Sequence, residues 1–433
     1  MAVEKKPSPL TDVRVRIAPS PTGRMHVGTA RAALFNKLFA LAQEGTYLVR
    51  IEDTDSARST DENIAFIQDA LGWLGLEPDV DYVIQSANKP QHIQAAQTLL
   101  AKGLAYEDDG AIRFKVPAGR TGWEDLIQGY ITYENTQIED FVLLRSDGSP
   151  TYHLGVVVDD AHMQISHVIR GDDHINNTPK QILLYEALEQ PVPRFAHMPM
   201  VLSEDGSKLS KRHGAVSVQD FREEGYLAAA VNHFLMQLGW LPGDEVEPIT
   251  LTEAAQRFEL HDLRKSAAVF DAQKLLYINS TYIRQRSAAD LLDDLKCLMP
   301  ADLSDQHMAL LLKALPALQE RAKTLLDICQ GAQAFLREPP FNFSEDQIHI
   351  IQEGEQHLHV LREELADATW DSELLHQIIK DYVQDHGLKF PEVGKPLRLT
   401  LTGEAHGIGL ADIFIILGKD ITLQRLDIAL NKA

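Results

Sequence analysis

The first part of the chain alternates segments typical of strands with segments typical of helices. Residues 13–18 alternate apolar and polar side chains, which predicts a strand. Residues 30–42 carry apolar side chains at helical spacing, which predicts a helix. A second strand over 47–51 and a second helix over 62–74, with Asp61 as its N-cap, follow. This alternation favours a parallel sheet flanked by helices.

The connection between the first strand and the first helix is a Gly/Pro turn that contains one histidine, Ala-Pro-Ser-Pro-Thr-Gly-Arg-Met-His-Val-Gly-Thr over 18–29. Backbone N–H groups and the positive end of the helix face an anion in such a turn. His26 adds a neutral or cationic donor beside it. The turn therefore predicts a site for ATP phosphates, and tight packing alone is its structural alternative.

A cationic segment lies nearly two hundred residues later, Lys-Leu-Ser-Lys-Arg-His-Gly over 208–214. Lys208 and Lys211 are suited to stabilise the negative charge that develops on departing pyrophosphate when the ATP α-phosphate is attacked. By itself, a short basic cluster is more often a solvated surface.

The two segments resemble the HIGH and KMSKS signatures of class I aminoacyl-tRNA synthetases. More narrowly, the chain is similar to bacterial glutamyl-tRNA synthetases, because five blocks occur in that family's order: 16–23, 50–55, 150–160, 168–174 and 208–214. The similarity runs from about Val13 into the last predicted helix, and the first twelve residues fall outside it.

The resemblance implies an α/β fold: a Rossmann-like doubly wound parallel sheet with an inserted α+β acceptor-binding subdomain, followed by a mostly α-helical C-terminal anticodon-binding region. We expect a class I catalytic domain over 11–225 with the inserted subdomain over 85–150. A stem-contact helical subdomain over 226–300 and an all-helical anticodon-binding domain over 301–433 complete the expected division.

The patterns of the remaining segments agree with this order. In the insertion they predict a helix over 90–102 and strands over 111–116 and 129–133, after which the strand and helix alternation resumes at 151–158, 167–170 and 178–188. Farther on they predict a short helix capped by Ser217, an apolar helix over 227–238, and helices over 290–299, 307–336, 345–365 behind a Ser344 cap, 372–386 and 411–417, with breaks at Pro300, Pro339-Pro340 and Pro391.

The family's ATP-binding residues carry over to the turn over 18–29 and to the cationic segment over 208–214, called the lysine loop below. The implied set is Pro19, Ser20, Thr22, Gly23, His26, Gly28, Thr29, Lys208, Leu209, Ser210, Lys211 and Arg212, of which His26, Lys208 and Lys211 are the catalytic candidates. Thr29 stands where the general signature has a second histidine, so His26 is the only imidazole of the turn.

The family's glutamate-binding residues carry over to Arg16, Ala18, Ser20, Glu52, Tyr152 and Arg170. A guanidinium can hold a carboxylate through two parallel hydrogen bonds, and Arg170 would reward a full negative charge over a neutral amide. The alternatives are structural. Arg16 would then serve a carboxylate such as Asp53 or Asp55, Glu52 would pair with Arg50 or Arg58, and Tyr152 would be a half-buried aromatic residue.

The net charge of −22 argues at first against a nucleic-acid partner, because phosphate binding draws on Lys and Arg. An acidic protein can still carry a local basic surface, and an ordinary salt-bridged surface is the alternative. With the resemblance, tRNA contact is the better interpretation for Arg264, Lys265, Lys274, Arg284, Arg362 and Arg398. Arg362 is the nearest candidate for the anticodon reader.

The implied activity is that of a glutamate–tRNA ligase. It would use ATP with Mg²⁺ to form glutamyl-adenylate and charge tRNA(Glu) as a cytoplasmic monomer. Charging of tRNA(Gln) as well and, less favoured because of the long helical region, glutamylation of a modified tRNA base are the alternatives. Residues 85–150 contain no Cys and only His92, so we expect no zinc site. Cys297 and Cys329 fit buried, unbridged thiols.

Overall fold

The computed structural model describes residues 12–55, 59–207, 209, 217–241, 247–296, 298–300 and 302–431. The chain divides into two compact units, Met1–Ile278 and Asn279–Ala433. The first unit is built of strands and helices and the second of helices. Both observations agree with the predicted fold class, whereas the finer subdomain limits stay a prediction.

The first unit contains all the described strands. They are β1 (Arg14–Ile17), β2 (Thr46–Ile51), β3 (Val83–Ile84), β4 (Ala105–Asp108), β5 (Ala111–Phe114), β6 (Arg120–Asp125), β7 (Gly129–Glu134), β8 (Phe141–Leu144), β9 (His167–Gly171), β10 (Arg194–Met198), β11 (Val201–Leu202) and β12 (Ala268–Val269).

The first unit also contains nine α-helices in its described part, several of which connect these strands. They are α1 (Val27–Ala42), α2 (Asp61–Leu74), α3 (Lys89–Ala101), α4 (Tyr152–His162), α5 (Thr178–Ala187), α6 (Val218–Glu223), α7 (Ala228–Gln237), α8 (Leu251–Ala255) and α9 (Ala272–Gln285), in which the boundary of the first unit falls.

The central sheet is doubly wound. Strands β1, β2 and β3 pair in parallel on one side, and β9, β10 and β6 pair in parallel on the other, with β7 antiparallel to β6. Strand β9 packs beside β1, and just before β9 the backbone N–H of Ser166 donates to the carbonyl oxygen of Arg14 at 2.9 Å. The strand order therefore reverses between β1 and β9, where the carboxyl ends of such a sheet form a ligand crevice.

Local sequence explains the first elements. Strand β1 buries Val15, Ile17 and the charged Arg16, and eleven residues of α1, most of them apolar, are buried as well. The cap of α2 was predicted wrongly by one residue. Thr60 accepts the backbone N–H of Asn63 through its hydroxyl, and Asp61 is the first helical residue, where its charge favours the positive helix end.

The region predicted as an insertion forms strands β4 to β8, and β4, β5 and β8 make a small antiparallel sheet. A two-residue turn joins β4 to β5, with Asp109 at φ 50° and Gly110 at φ 76°. Both residues are left-handed, as a tight hairpin turn requires. Buried Trp123 and Leu143 from this region share one core with Leu154 and Phe195, so the region packs against the central sheet.

The second unit is helical throughout its described part. Its helices beyond α9 are α10 (Ala288–Leu295), α11 (Asp305–Gln319), α12 (Leu325–Leu336), α13 (Glu345–Asp367), α14 (Ser372–Asp385), α15 (Phe390–Thr402) and α16 (Leu410–Leu430). Ser344 caps α13 through a reciprocal pair with Gln347, as predicted.

Three helix predictions in this unit were wrong. The segment 307–336 is two helices, because Thr324 and Asp327 form a capping box that starts α12. Pro391 does not break a helix but lies in the first turn of α15, where its missing N–H costs nothing. The last helix runs past residue 417 to Leu430, with a kink at Gly418.

Candidate active site

The turn after β1 presents the start of α1 to a cavity. His26 is the N-cap of α1, and its Nδ1 accepts the backbone N–H of Gly28 at 3.1 Å. A neutral imidazole that accepts at Nδ1 carries its proton on Nε2, so the ring can donate to an anion. The N–H groups of Thr29 and Ala30 donate to the carbonyl oxygen of His26, and the helix dipole adds to the positive potential at this end of α1.

The predicted site residues of the first unit share this cavity, whose volume is about 820 Å³. All six predicted glutamate-binding residues line it: Arg16, Ala18, Ser20, Glu52, Tyr152 and Arg170. So do the ATP-binding candidates that the structure describes: Pro19, Ser20, Thr22, Gly23, His26, Gly28, Thr29 and Leu209. Lys208, Ser210, Lys211 and Arg212 lie outside the described residues.

Two described residues, one within the lysine loop over 208–214 and one shortly after it, lie at the same cavity. Leu209 and Ser217 both line it. Ser217 forms a backbone bridge with His26, and the backbone N–H of Val218 donates to Met25 at 2.9 Å. Two parts of the sequence nearly two hundred residues apart are therefore joined beside the turn.

A buried charge network forms one wall. Asp160, at 1% side-chain exposure, accepts two bonds from Arg16, Nε to Oδ1 at 2.9 Å and Nη2 to Oδ2 at 3.0 Å, and a third from Nη1 of Arg50. Burial would raise the pKa of Asp160, but the two guanidinium groups lower it to about 2. Arg16 thus pairs with Asp160 instead of Asp53 or Asp55, and its Nη1 takes no part in this pair.

Glu52 extends the network into the cavity. Its Oε1 accepts from Nη2 of Arg50 at 3.1 Å, which is one of the two pairings expected if its role were structural. Burial raises the pKa of Glu52, and Arg50 opposes that shift. Burial alone would also lower the pKa of Arg50, but Asp160, Glu52 and Asp159 together raise it. Arg50 therefore stays charged and anchors Asp160 and Glu52, with Asp159 farther away at 3.8 Å.

Arg170, at the end of β9, is buried but has no acidic partner among the described residues. Its Nη2 donates to the Thr178 hydroxyl at 2.8 Å and its Nε to Nε2 of His197 at 3.1 Å. Its guanidinium lies 5.6 Å from the ring centroid of Phe195. Burial lowers the pKa of Arg170, which indicates that the charge is held at a cost that an anionic ligand would offset.

Tyr152 begins α4 and is 38% exposed. Its hydroxyl lies 3.0 Å from Nδ1 of His174, which also lines the cavity. Burial and the nearby positive charge of Arg170 lower the pKa of His174 to about 4, so its ring is neutral at pH 7. The phenol is thus oriented by a side chain of the site and is not simply directed at solvent.

Sequence reasoning missed several side chains at this site. Asp160 and His174 lie inside family blocks that were quoted without a role for either residue. Arg31 lines the cavity, is 3% exposed and donates to the carbonyl of Pro199 at 2.6 Å, while its Nε and Nη2 have no hydrogen-bond partner in the described part. Burial lowers the pKa of Arg31 to about 10. No local pattern distinguishes it from other helix arginines.

None of the tRNA-contact candidates is among the residues that line this cavity. Arg264, Lys265 and Lys274 are exposed residues of the first unit, and Arg284 is an exposed residue of the second.

Two further tRNA-contact candidates lie in the second unit. Arg362 is held by Asp427 through bonds of 2.8 and 2.9 Å. Arg398 lines a separate cavity of about 700 Å³ together with Arg321 and Arg337. Burial and then the charge of Arg321 lower the pKa of Arg398.

Neither a metal centre nor a membrane span is visible in the described ranges. They contain no group of three or more His, Cys, Asp or Glu side chains arranged to hold a metal ion. His92, the histidine of the insertion, is buried and bonded to Asp159 at 2.8 Å. No helix there is long and apolar enough to cross a membrane.

The role of His26 can be separated from its capping role. We expect His26→Asn to keep the cap, because Asn also accepts at this position, and to change the free energy of unfolding by less than about 1 kcal/mol. The variant should lower glutamate-dependent ATP–pyrophosphate exchange about 100-fold, because it lacks the Nε2 donor. Thermal unfolding and exchange rates, with His26→Ala as the variant lacking both functions, measure the two effects. Exchange at the wild-type rate in His26→Asn would contradict a phosphate contact.

Comparisons with known proteins agree with this geometry. Residues 12–111 and 107–277 match the family model of the catalytic domain of class I tRNA synthetases (E and Q), and residues 287–430 match an anticodon binding domain. The glutamate–tRNA ligase of Azorhizobium caulinodans is 39% identical, with 96% of this chain and 99% of that protein covered. That of Afipia carboxidovorans is 40% identical, covering 96% and 98%. The chain belongs to the glutamate–tRNA ligase family.

Solved structures support the same assignment. A crystal structure of a glutamate tRNA ligase from Elizabethkingia meningosepticum, in complex with its amino acid, has a TM-score of 0.82 and 29% identity and covers 97% of this chain and 99% of that one. The enzyme from Elizabethkingia anophelis gives 0.78 and 28%, covering 97% and 100%. The predicted family, fold class and enzyme class are thus confirmed, and class I membership implies use of ATP.

The two catalytic matches meet at one place. They overlap at residues 107–111, which contain the tight turn between β4 and β5. The alignment with the Azorhizobium enzyme spans 467 positions, more than the 433 residues of this chain. The alignment therefore contains gaps in the sequence of this chain, which has fewer residues in the aligned region than that relative.

Proposed function

We propose that the protein activates L-glutamate with ATP and transfers it to tRNA(Glu). An oxygen of the α-carboxylate of glutamate attacks the α-phosphorus of ATP, and pyrophosphate leaves. A hydroxyl of the terminal tRNA ribose, by family resemblance the 2′-hydroxyl, then attacks the glutamyl carbonyl, and AMP leaves. The observation that carries the proposal is one cavity bounded by the capped start of α1, Arg16, Arg31 and Arg170.

The phosphate side of this proposal rests on positive groups around the turn. His26 would donate from Nε2, and the positive end of the α1 dipole would attract the phosphates. Mg²⁺ would accompany ATP as a ligand of its phosphates and would supply further charge compensation. The described residues offer no acidic cluster that could hold such an ion by itself. Catalysis would rest on positioning and charge stabilisation.

The proposed recognition of glutamate rests on two arginines that differ in the charge of their partners. Arg16 is already neutralised by Asp160, so it would offer Nη1 as a donor to the ligand. Arg170 has uncharged partners and would supply the countercharge for the side-chain carboxylate. Glu52 would accept the ligand ammonium, and Tyr152 would donate from its hydroxyl. A neutral glutamine would leave the charge of Arg170 uncompensated.

The tRNA partner is supported by the match of residues 287–430 to an anticodon binding domain. Within that unit we propose Arg398 as the stronger contact, because it lines a cavity with Arg321 and Arg337 and its charge lacks an acidic partner among the described residues. Arg362 would have to leave Asp427 before it could bind RNA. Arg264, Lys265, Lys274 and Arg284 stay candidates as exposed cations.

One charging experiment tests the proposal. Purified tRNA(Glu) and tRNA(Gln) are each incubated with labelled glutamate and ATP, and acid-precipitable label is measured. We expect ATP-dependent charging of tRNA(Glu). Label on tRNA(Gln) as well would identify the non-discriminating alternative, and no label on either tRNA would contradict the proposal. Glutamylation of a modified base is less favoured, because the family match covers nearly the whole chain, including the helical region.

A substitution of Lys211, which lies outside the described residues, tests the lysine loop. We expect Lys211→Ala to lower pyrophosphate exchange about 100-fold or more, because a cation that stabilises the transition state is lost. Glutamate binding, measured by calorimetry, should change less than about 3-fold. Equal loss of exchange and binding would contradict the assigned role.

A further inference from the structure

We propose that His197 and Asp125 are positioning residues that hold Arg170 in its glutamate-reading orientation without neutralising its charge. The inference rests on the proposed function and deepens it. Neither residue lines the cavity, and neither was singled out by the sequence. Both are buried, His197 at 0% and Asp125 at 2% exposure.

The side chains of Arg170, His197 and Asp125 form a chain of two consecutive hydrogen bonds, called the relay below. Nε of Arg170 lies 3.1 Å from Nε2 of His197, and Nδ1 of His197 lies 2.5 Å from Oδ2 of Asp125. A guanidinium can only donate, so Nε2 of the imidazole must accept. The ring proton is therefore on Nδ1, where it donates to the carboxylate. The order of the chain fixes both the charge and the tautomer of His197.

The pKa shifts agree with these protonation states. Burial lowers the pKa of His197, so the ring is neutral at pH 7. Burial would raise the pKa of Asp125, but the bond from His197 and backbone N–H donors bring it to about 2. A carboxylate, a neutral imidazole and a guanidinium therefore follow one another.

Asp125 is itself held rigidly. Its Oδ1 accepts the backbone N–H groups of Ile127 at 3.1 Å, Gln128 at 3.0 Å and His197 at 3.2 Å. Asp125 ends β6 and pairs with Phe195 of β10, two residues before His197. The side chain of Gln128 also donates to the His197 carbonyl at 2.9 Å. The insertion thus supplies the anchor of the relay.

Charge placement distinguishes this arrangement from the pair at Arg16. Asp160 contacts Arg16 directly and neutralises it. At Arg170, an imidazole separates the guanidinium from the carboxylate, so the negative charge lies one side chain farther away. Arg170 keeps a fixed direction, and its charge is left for an anionic ligand. This is the property that discrimination between a carboxylate and an amide requires.

The test compares His197→Leu with His197→Gln, using kinetics of tRNA(Glu) charging. Leu removes the acceptor at similar volume, whereas the Gln amide can accept from Arg170 and donate to Asp125. We expect His197→Leu to raise the KM for glutamate about 10-fold to 100-fold, with the KM for ATP changed less than 2-fold. Preference for glutamate over glutamine should fall in parallel. His197→Gln should restore most of both.

Asp125→Asn gives an independent reading. An Asn amide that donates to Nδ1 would force the ring proton onto Nε2, opposite the N–H of Arg170, so this variant should also raise the KM for glutamate about 10-fold or more. His233→Leu is the matched control, because His233 is a buried histidine that does not line the cavity. Its KM for glutamate should stay within 2-fold of wild type.

The outcomes separate two failures. If the wild-type protein does not charge tRNA with glutamate, the proposed function fails. If it does, and His197→Leu loses stability or kcat while the KM for glutamate and the preference over glutamine stay unchanged, the residues are merely structural and the relay is overturned. Equal KM values for glutamate in His197→Leu and His197→Gln would overturn it too, even if Asp125→Asn fails to fold.

Discussion

Asp160→Asn is expected to destabilise the first unit by about 3–5 kcal/mol. The Asp160 side chain binds two arginines. The side chain of Arg16 is 4% exposed to solvent, and that of Arg50 is 0% exposed. Asn has nearly the same shape but no charge, so it would leave Arg16 buried without this acidic partner, and Arg50 with Glu52 and the more distant Asp159. Uncompensated buried charges are among the costliest changes a fold can suffer.

The measurement is calorimetry of the thermal unfolding of the full chain. At about 2–4 °C per kcal/mol, the transition of the first unit should fall by about 6–20 °C. Asp69→Asn is the matched control, because Asp69 pairs with Arg222 at the surface, where the side chains are 54% and 46% exposed. It should cost less than about 1 kcal/mol. Similar transitions for the two variants would refute the assigned role of Asp160.

Arg170→Gln is expected to lower kcat/KM for glutamate about 1,000-fold. The substitution removes a charged donor pair, and each hydrogen bond to a charged group contributes about 1.5–3 kcal/mol. The loss should fall mainly on glutamate, with the KM for ATP changed less than 3-fold, because Arg170 lies at the end of β9 and not in the turn before α1. Arg170→Lys should recover only part, since an ammonium cannot reproduce the planar fork.

Charging kinetics with glutamate and with glutamine measure this effect. Wild type should strongly prefer glutamate, and Arg170→Gln should lose most of that preference. Arg194→Gln serves as the control, because Arg194 is an exposed arginine at the start of the neighbouring strand β10 and does not line the cavity. Its kinetics should match wild type within 2-fold. Retained preference for glutamate in Arg170→Gln would assign the discrimination to another residue.

Local signals were sufficient for much of the fold. The alternation over 13–18 and the helical spacing over 30–42 correspond to β1 and α1, and Ser217 and Ser344 cap the helices that were expected to follow them. In each case the deciding contact lies within a few residues along the chain. The capping box at Thr324 and Asp327 is equally local, and it was overlooked because the apolar spacing continues across it.

Side-chain partners were much harder to predict. The partner of Arg16 is 144 residues away, and Asp160 was one of many carboxylates in the sequence. The bond from Arg170 to His197 and the bond from His197 to Asp125 depend on which strands are neighbours, and β6, β9 and β10 are separated in sequence by β7, β8, α4 and α5. Arg362 was a candidate for RNA contact, and no sequence pattern indicated its pairing with Asp427, 65 residues away on another helix. Such pairings follow from topology, which residue patterns constrain only weakly.

The turn at Asp109 and Gly110 has a practical meaning for the architecture. Strands β4 and β5 stay in register up to Asp108 and Ala111, so the chain can lengthen between them without moving any side chain to the other face of the small sheet. Lengthening a surface loop has a small entropic cost. The turn between β4 and β5 is therefore a position at which extra residues can be inserted or removed during evolution. A fluorescent reporter domain could be inserted there as well, away from the residues of the candidate active site.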